Sequence, residues 1–193
     1  MKLQSLAALA LLLPVLSCSP SPVSTVDAAQ AEASSAEPVR VYLLRHAEKQ
    51  KDGTDDPGLT ELGVRRSEKL ASLLQRQEVS HLFCTRWRRT RDTLSPLVEA
   101  RGLEPVVVEA GDSAELAGQL RALEPGAVAV VAGHSNTIPA VVAELGVQLP
   151  GLVENPRYGS MFPEAEYGRV VELVWPGGRT ESTPDVWELQ VDP

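Results

Sequence analysis

Two of the three histidines in this 193-residue chain stand directly after short apolar runs. His46 closes "VYLLRHAE" behind Arg45, and His134 follows "VAVVAG" and leads into "SNT". An apolar run that stops on such residues reads as a buried strand delivering them to the rim of a sheet. A third basic feature is "TRWRRTRDT", residues 85–93, where Arg86, Arg88, Arg89 and Arg91 open a helical segment. A helix N-terminus is already partially positive, so arginines gathered there cost free energy unless an anion is present. Guanidinium forks match the oxygens of phosphate or sulfate, which makes that anion the expected guest. Some of Arg86, Arg88 and Arg91 are expected only to pair with Asp92 or to be solvated.

Imidazole can attack phosphorus at neutral pH without a metal, giving a phosphohistidine that water then hydrolyses. Cationic groups around the equatorial oxygens supply the electrostatic stabilisation that dominates phosphoryl transfer, and the leaving alkoxide still needs a proton. No metal and no cofactor are expected. The histidines lack ligand spacing such as HExxH, and beyond Cys18 the only cysteine is Cys84. His81 begins a strand instead of ending one and reads as a surface or packing histidine.

The elements that must hold these residues alternate along the chain from Val39. Runs 41–45, 81–84, 105–110 and 127–133 read as strands. Helices are expected after Thr60, with Val64, Leu70, Leu73 and Leu74 on the inner side, and over 87–101, 112–124 and 136–145. Asp112 or Ser113 would cap the third. Near-continuous apolar strands between helices imply an α/β fold, a three-layer α/β/α sandwich around a mainly parallel mixed sheet. Segments 166–175 and 185–191 alternate with period two around "PGG" and suggest an antiparallel hairpin or edge. In such open sheets ligands bind outside the carboxyl ends of the strands, where both His46 and His134 would stand.

The first 17 residues read as a signal peptide, with Lys2 followed by an apolar run too short to span a bilayer. The residues before Cys18 resemble the lipobox of bacterial lipoproteins, which implies a lipid anchor on Cys18 and a location on the periplasmic side of the envelope. Residues 18–38 would form the lipidated terminus and a disordered Ser/Ala/Pro/Glu tether, leaving 39–193 as the domain. A net charge of −8 argues against nucleic acid as a partner.

In order, "LLRHAEK", "CTRWRRTRDT" and "VVAGHSNT" resemble the histidine phosphatase superfamily, whose fold is phosphoglycerate mutase-like. "DPGLTELG", residues 56–63, also resembles the family's approach to its first helix. The resemblance implies a nucleophile at His46 and a phosphate pocket of Arg45, Arg89 and a protonated His134. Arg89 is chosen because it stands four residues before Thr93, the family's arginine–threonine spacing. The proton donor would come from the loop after the third strand, at Glu109 or at Asp112, with Glu48 and Asp56 as outside candidates. The implied substrate is a phosphorylated small molecule or an envelope glycan or lipid, such as a lipopolysaccharide core sugar. A protein phosphohistidine phosphatase is a further reading. A mutase is disfavoured, because those enzymes carry longer insertions over the pocket and work in the cytosol. From another class, the same constellation could be a phosphate- or sulfate-binding module without turnover. Trp87, Tyr158 and Trp175 are either pocket or core aromatics.

Overall fold

The computed structural model describes residues 36–193. The expected leader, Cys18 and the tether as far as residue 35 lie outside the described residues. The last tether residues are already part of the domain, since Gly126 N donates to Glu37 O at 3.1 Å.

The elements run β1 (Val39–Arg45), α1 (Glu61–Leu73), β2 (His81–Thr85), α2 (Arg88–Arg101), β3 (Val106–Val108), α3 (Ser113–Arg121), β4 (Val128–Gly133), α4 (Thr137–Glu144), β5 (Val153–Asn155), β6 (Gly159–Met161), β7 (Arg169–Trp175) and β8 (Asp185–Gln190). The main sheet has the order β3-β2-β4-β1-β7-β8. Its first four strands are parallel, while β7 pairs antiparallel with β1 and with β8. This is the α/β architecture expected from the alternation, with the period-two segments forming its antiparallel side.

Strands with alternating side chains supply a separate core on each face of the sheet. Val41 and Leu43 of β1 join Leu116, Leu120, Val142 and Trp175 on one face. Tyr42 and Leu44 join Leu70 of α1, Leu74 just after it, and Leu94 and Leu97 of α2 on the other. Among the described residues, no helix is long and apolar enough to cross a membrane.

Several expectations need correction. Val64 and Leu73, placed on the inner side of α1, are each 45% exposed, and the helix buries Gly63, Ser67 and Leu70 instead. The reason is Gly63, where a Cβ would collide with the Glu48 carbonyl oxygen. That backbone approach sets the rotation of α1 more strongly than its scattered apolar residues. The third strand is only Val106–Val108, and β7 starts at Arg169, not at residue 166. The short β5–β6 hairpin has no clear alternation and was not expected.

Candidate active site

The β1–β4 register pairs Arg45 with Gly133, and the ladder continues one step further as His46 N donates to Gly133 O at 2.9 Å. His46 and His134 therefore leave neighbouring strands at one level. Their rings meet edge to face with centroids 5.5 Å apart. The turn behind His134 needs glycine at 133, because a Cβ there would stand 2.7 Å from Ile138 Cδ1 and 2.8 Å from Thr137 Oγ1. The Thr137 hydroxyl at the start of α4 accepts the His134 backbone N–H at 2.8 Å, which holds the turn.

His46 is 4% exposed, and its Nδ1 lies 2.7 Å from Ala47 O. A carbonyl only accepts, so Nδ1 carries the proton and the neutral ring presents its lone pair at Nε2. Burial pushes His46 down to about 3, and the nearby His134, Arg45 and Arg89 push the same way against the Ala47 hydrogen bond. Burial also lowers His134, to about 4, with Arg89 and Arg45 adding to the effect. Desolvation and two guanidinium groups thus favour the neutral His134 ring here, and the expected protonated form would need the charge of a bound phosphoryl group.

Arg45 is buried beside them. Its Nη1 donates to Glu164 O at 2.7 Å, with Glu166 O at 3.3 Å and Pro163 O at 3.4 Å, and its guanidinium lies 3.9 Å from the Tyr167 ring centroid. Arg89 lies in the first turn of α2, its guanidinium 4.8 Å from the Trp87 ring centroid. The Nε atoms of Arg45 and Arg89 are buried without a hydrogen-bond partner among the described residues. The same holds for Nε of Arg101 and Arg169, so it does not by itself mark a ligand; an oxyanion between Arg45 and Arg89 would nevertheless supply acceptors for both. Burial lowers the pKa of both guanidinium groups.

The remaining arginines divide as expected. Arg88 Nε pairs with Asp92 at 3.2 Å, while Arg86 is exposed over Trp87. Asp56, an outside candidate for the proton donor, accepts from Arg88 N at 2.7 Å and lies 3.9 Å from Arg89 Nη1. Glu48, the other, faces Arg66 at 2.6 Å. Burial alone would raise its pKa, but the Arg66 hydrogen bonds outweigh that and hold the carboxyl below its ordinary range. A carboxylate so held is a poor proton donor.

Glu109 and Asp112 sit on the loop between β3 and α3. They line a small cavity with Thr85, Gly133 and Thr137, on the His134 side of the rim. Both are exposed. Asp112 Oδ1 accepts from Glu115 N at 2.9 Å and caps α3. The Glu109 carboxylate makes no hydrogen bond or ion pair among the described residues. His81, at the opposite end of its strand, stacks on Phe83 with centroids 6.4 Å apart and has no part in the site. Trp175 is fully buried and Tyr158 is exposed on the β5–β6 side, so only Trp87 of the three aromatics borders the cradle.

Residues 41–111 match the family model for the histidine phosphatase superfamily (branch 1). Over that stretch the chain is similar to this superfamily. Among solved structures, the protein histidine phosphatase SixA, complexed with tungstate, aligns with a TM-score of 0.62 and 21% identity over 78% of this chain and 96% of that one. A mycobacterial glucosyl-3-phosphoglycerate phosphatase aligns with a TM-score of 0.56 and 22% identity, covering 78% of this chain and 99% of that one. At such identities the alignments show the shared fold. No curated protein matches the chain.

Sequence reasoning missed Tyr167. Its ring carries Arg45 and lies 6.1 Å from the His46 ring centroid. The signal was indirect. An antiparallel neighbour of β1 begins where β1 ends, so the residues just before β7 fall at the catalytic rim. Thr85 and Thr90, both buried next to the arginines, were hidden in the arginine cluster, and Thr93 was noted only for its spacing from Arg89.

Proposed function

We propose that this phosphatase hydrolyses phosphomonoesters without a metal, through a phosphohistidine on His46. The observation that carries the reading is the Nδ1 contact of His46 with Ala47 O at 2.7 Å, which leaves Nε2 as a free nucleophile beside the guanidinium groups of Arg45 and Arg89. Neutral at physiological pH, the ring attacks with no prior deprotonation.

Nε2 forms a bond to phosphorus as the ester P–O bond breaks. Positive charge that develops on the imidazole strengthens its Nδ1–H bond to the Ala47 carbonyl. Arg45, Arg89 and His134 take the equatorial oxygens, in a buried setting that strengthens each contact. Glu109, or alternatively Asp112, gives the leaving oxygen its proton. The resulting carboxylate then takes a proton from the water that attacks phosphorus, the P–N bond breaks, and His46 recovers its lone pair.

The substrate in this reading is a phosphorylated small molecule or a glycan or lipid of the bacterial envelope, reached by a domain tethered through lipidated Cys18. The Cys18 sequence context supports the location. The chain enters β1 at the end of the sheet opposite the histidines. The free, exposed carboxylate of Glu109 favours one second reading, an oxyanion-binding module that lacks a positioned acid.

Hydrolysis of p-nitrophenyl phosphate in the presence of EDTA separates the two. Turnover with a labelled, acid-labile phosphoenzyme is expected. Phosphate binding without turnover on any phosphomonoester would support the binding module instead.

A further inference from the structure

The second imidazole is held by a chain of hydroxyl groups. His134 Nε2 lies 3.1 Å from Thr85 Oγ1, and Thr85 Oγ1 lies 2.9 Å from Thr90 Oγ1. The Thr90 hydroxyl in turn is 2.9 Å from Thr85 O and 2.8 Å from Trp87 O. Both threonines are buried, Thr90 completely.

The protons can be assigned by counting. Carbonyls only accept, so the single proton of Thr90 must serve one of its two carbonyl neighbours. Thr90 then accepts from Thr85, because their 2.9 Å oxygen–oxygen contact would otherwise hold no proton. With its own proton given to Thr90, Thr85 can only accept from His134. The reverse direction would leave a hydroxyl pressed against two carbonyl oxygens with no proton between them, an unsatisfied arrangement in a buried site.

We infer that the Thr85–Thr90 pair fixes the tautomer of His134, holding its proton on Nε2 and leaving Nδ1 to receive a proton when the phosphoryl group binds. The second half rests on the phosphatase reading, whereas the tautomer itself does not. With Nε2 committed to Thr85, any N–H that His134 offers an oxyanion must come from Nδ1. Arg45 and Arg89 oppose a second proton on the ring, and neutral His46 stands beside it, so the proton arrives only with the negative charge of the guest. Glu109 and Asp112 line the neighbouring cavity and make no hydrogen bond or ion pair with the ring among the described residues. Thr85 and Thr90 are thus positioning residues, acting through His134.

Ring-nitrogen NMR on the full domain tests this directly. Near pH 7 the free protein should show His134 protonated at Nε2 and bare at Nδ1, and saturating inorganic phosphate should protonate both. Thr90→Val removes the final acceptor, frees the Thr85 proton to turn toward Nε2, and should shift the ring toward the Nδ1–H tautomer. Thr85→Val should give mixed tautomers and lower kcat/KM about 10- to 100-fold, by analogy with partners that orient histidines at metal centres. Thr85→Ser, which keeps the hydroxyl, should restore both the spectrum and most of the activity. A free protein with Nδ1–H, or an Nε2–H ring unchanged in both valine variants, would overturn the inference. Wild-type protein with the expected tautomer but no phosphomonoester turnover would instead defeat the phosphatase reading.

Discussion

Ala47 donates its backbone N–H to the Thr93 hydroxyl at 2.9 Å, although 46 positions separate the two residues. The same hydroxyl donates to Arg89 O at 2.7 Å. One oxygen thus ties the turn that carries His46 to the helix turn that carries Arg89, and no rearrangement of either can leave the other in place.

Replacing Thr93 by valine should break both links at once. The buried Ala47 N–H would then lack its acceptor, at a cost of about 1–3 kcal/mol. A lower urea midpoint is expected, together with weaker competitive inhibition by phosphate, since Arg89 would no longer be registered against His46. Thr93→Ser should recover both. A valine variant with unchanged phosphate affinity would show that the helix holds Arg89 unaided.

The pH profile should report the depressed imidazoles. Because kcat/KM follows the free enzyme, and His46 and His134 stand at about 3 and about 4 there, the acid limb should lie below pH 5. An acid limb near 6.5, the ordinary histidine value, would mean that the site is wetter than the structure shows.

Stability should follow the same two groups. Their pKa values are lower in the folded than in the unfolded chain, so the unfolded chain binds more protons in between. The stabilisation is complete above about pH 6.5 and is lost progressively on acidification as far as the folded values of about 3 and about 4. Denaturant midpoints should therefore fall from pH 6.5 toward pH 4, and a His46→Asn variant should lose part of that slope. An identical slope in wild type and variant would place the acid sensitivity elsewhere.

Much of this was legible from residue order alone. Apolar runs ending on Arg45-His46 and Gly133-His134 located the rim, because parallel strands with matching ends bring their following residues together. Arg89 was legible through the electrostatic oddity of arginines at a helix start. Tyr167 was not, since it depends on which strand pairs antiparallel with β1, a long-range choice that local alternation does not encode. The lowered pKa of His134 was also out of reach, because desolvation by the assembled site causes it. The rotation of α1 failed for a related reason: a single backbone contact at Gly63 overrode the apolar pattern carried by Val64 and Leu73.

The proton donor can be identified by leaving-group dependence. Glu109 has an unpartnered carboxylate on the loop beside the His134 strand, whereas Asp112 already accepts the Glu115 backbone N–H as the cap of α3. A group that protonates the leaving oxygen matters greatly for a sugar alcohol and little for nitrophenolate, which departs without help. Glu109→Gln should therefore slow hydrolysis of a sugar phosphate far more than that of p-nitrophenyl phosphate. Asp112→Asn retains a capping acceptor and should leave both rates nearly unchanged, while Asp112→Ala should lose about 1 kcal/mol of stability through the cap. If the leaving-group sensitivity appears instead in Asp112→Asn, the roles are reversed, and the cap of α3 must open when substrate binds.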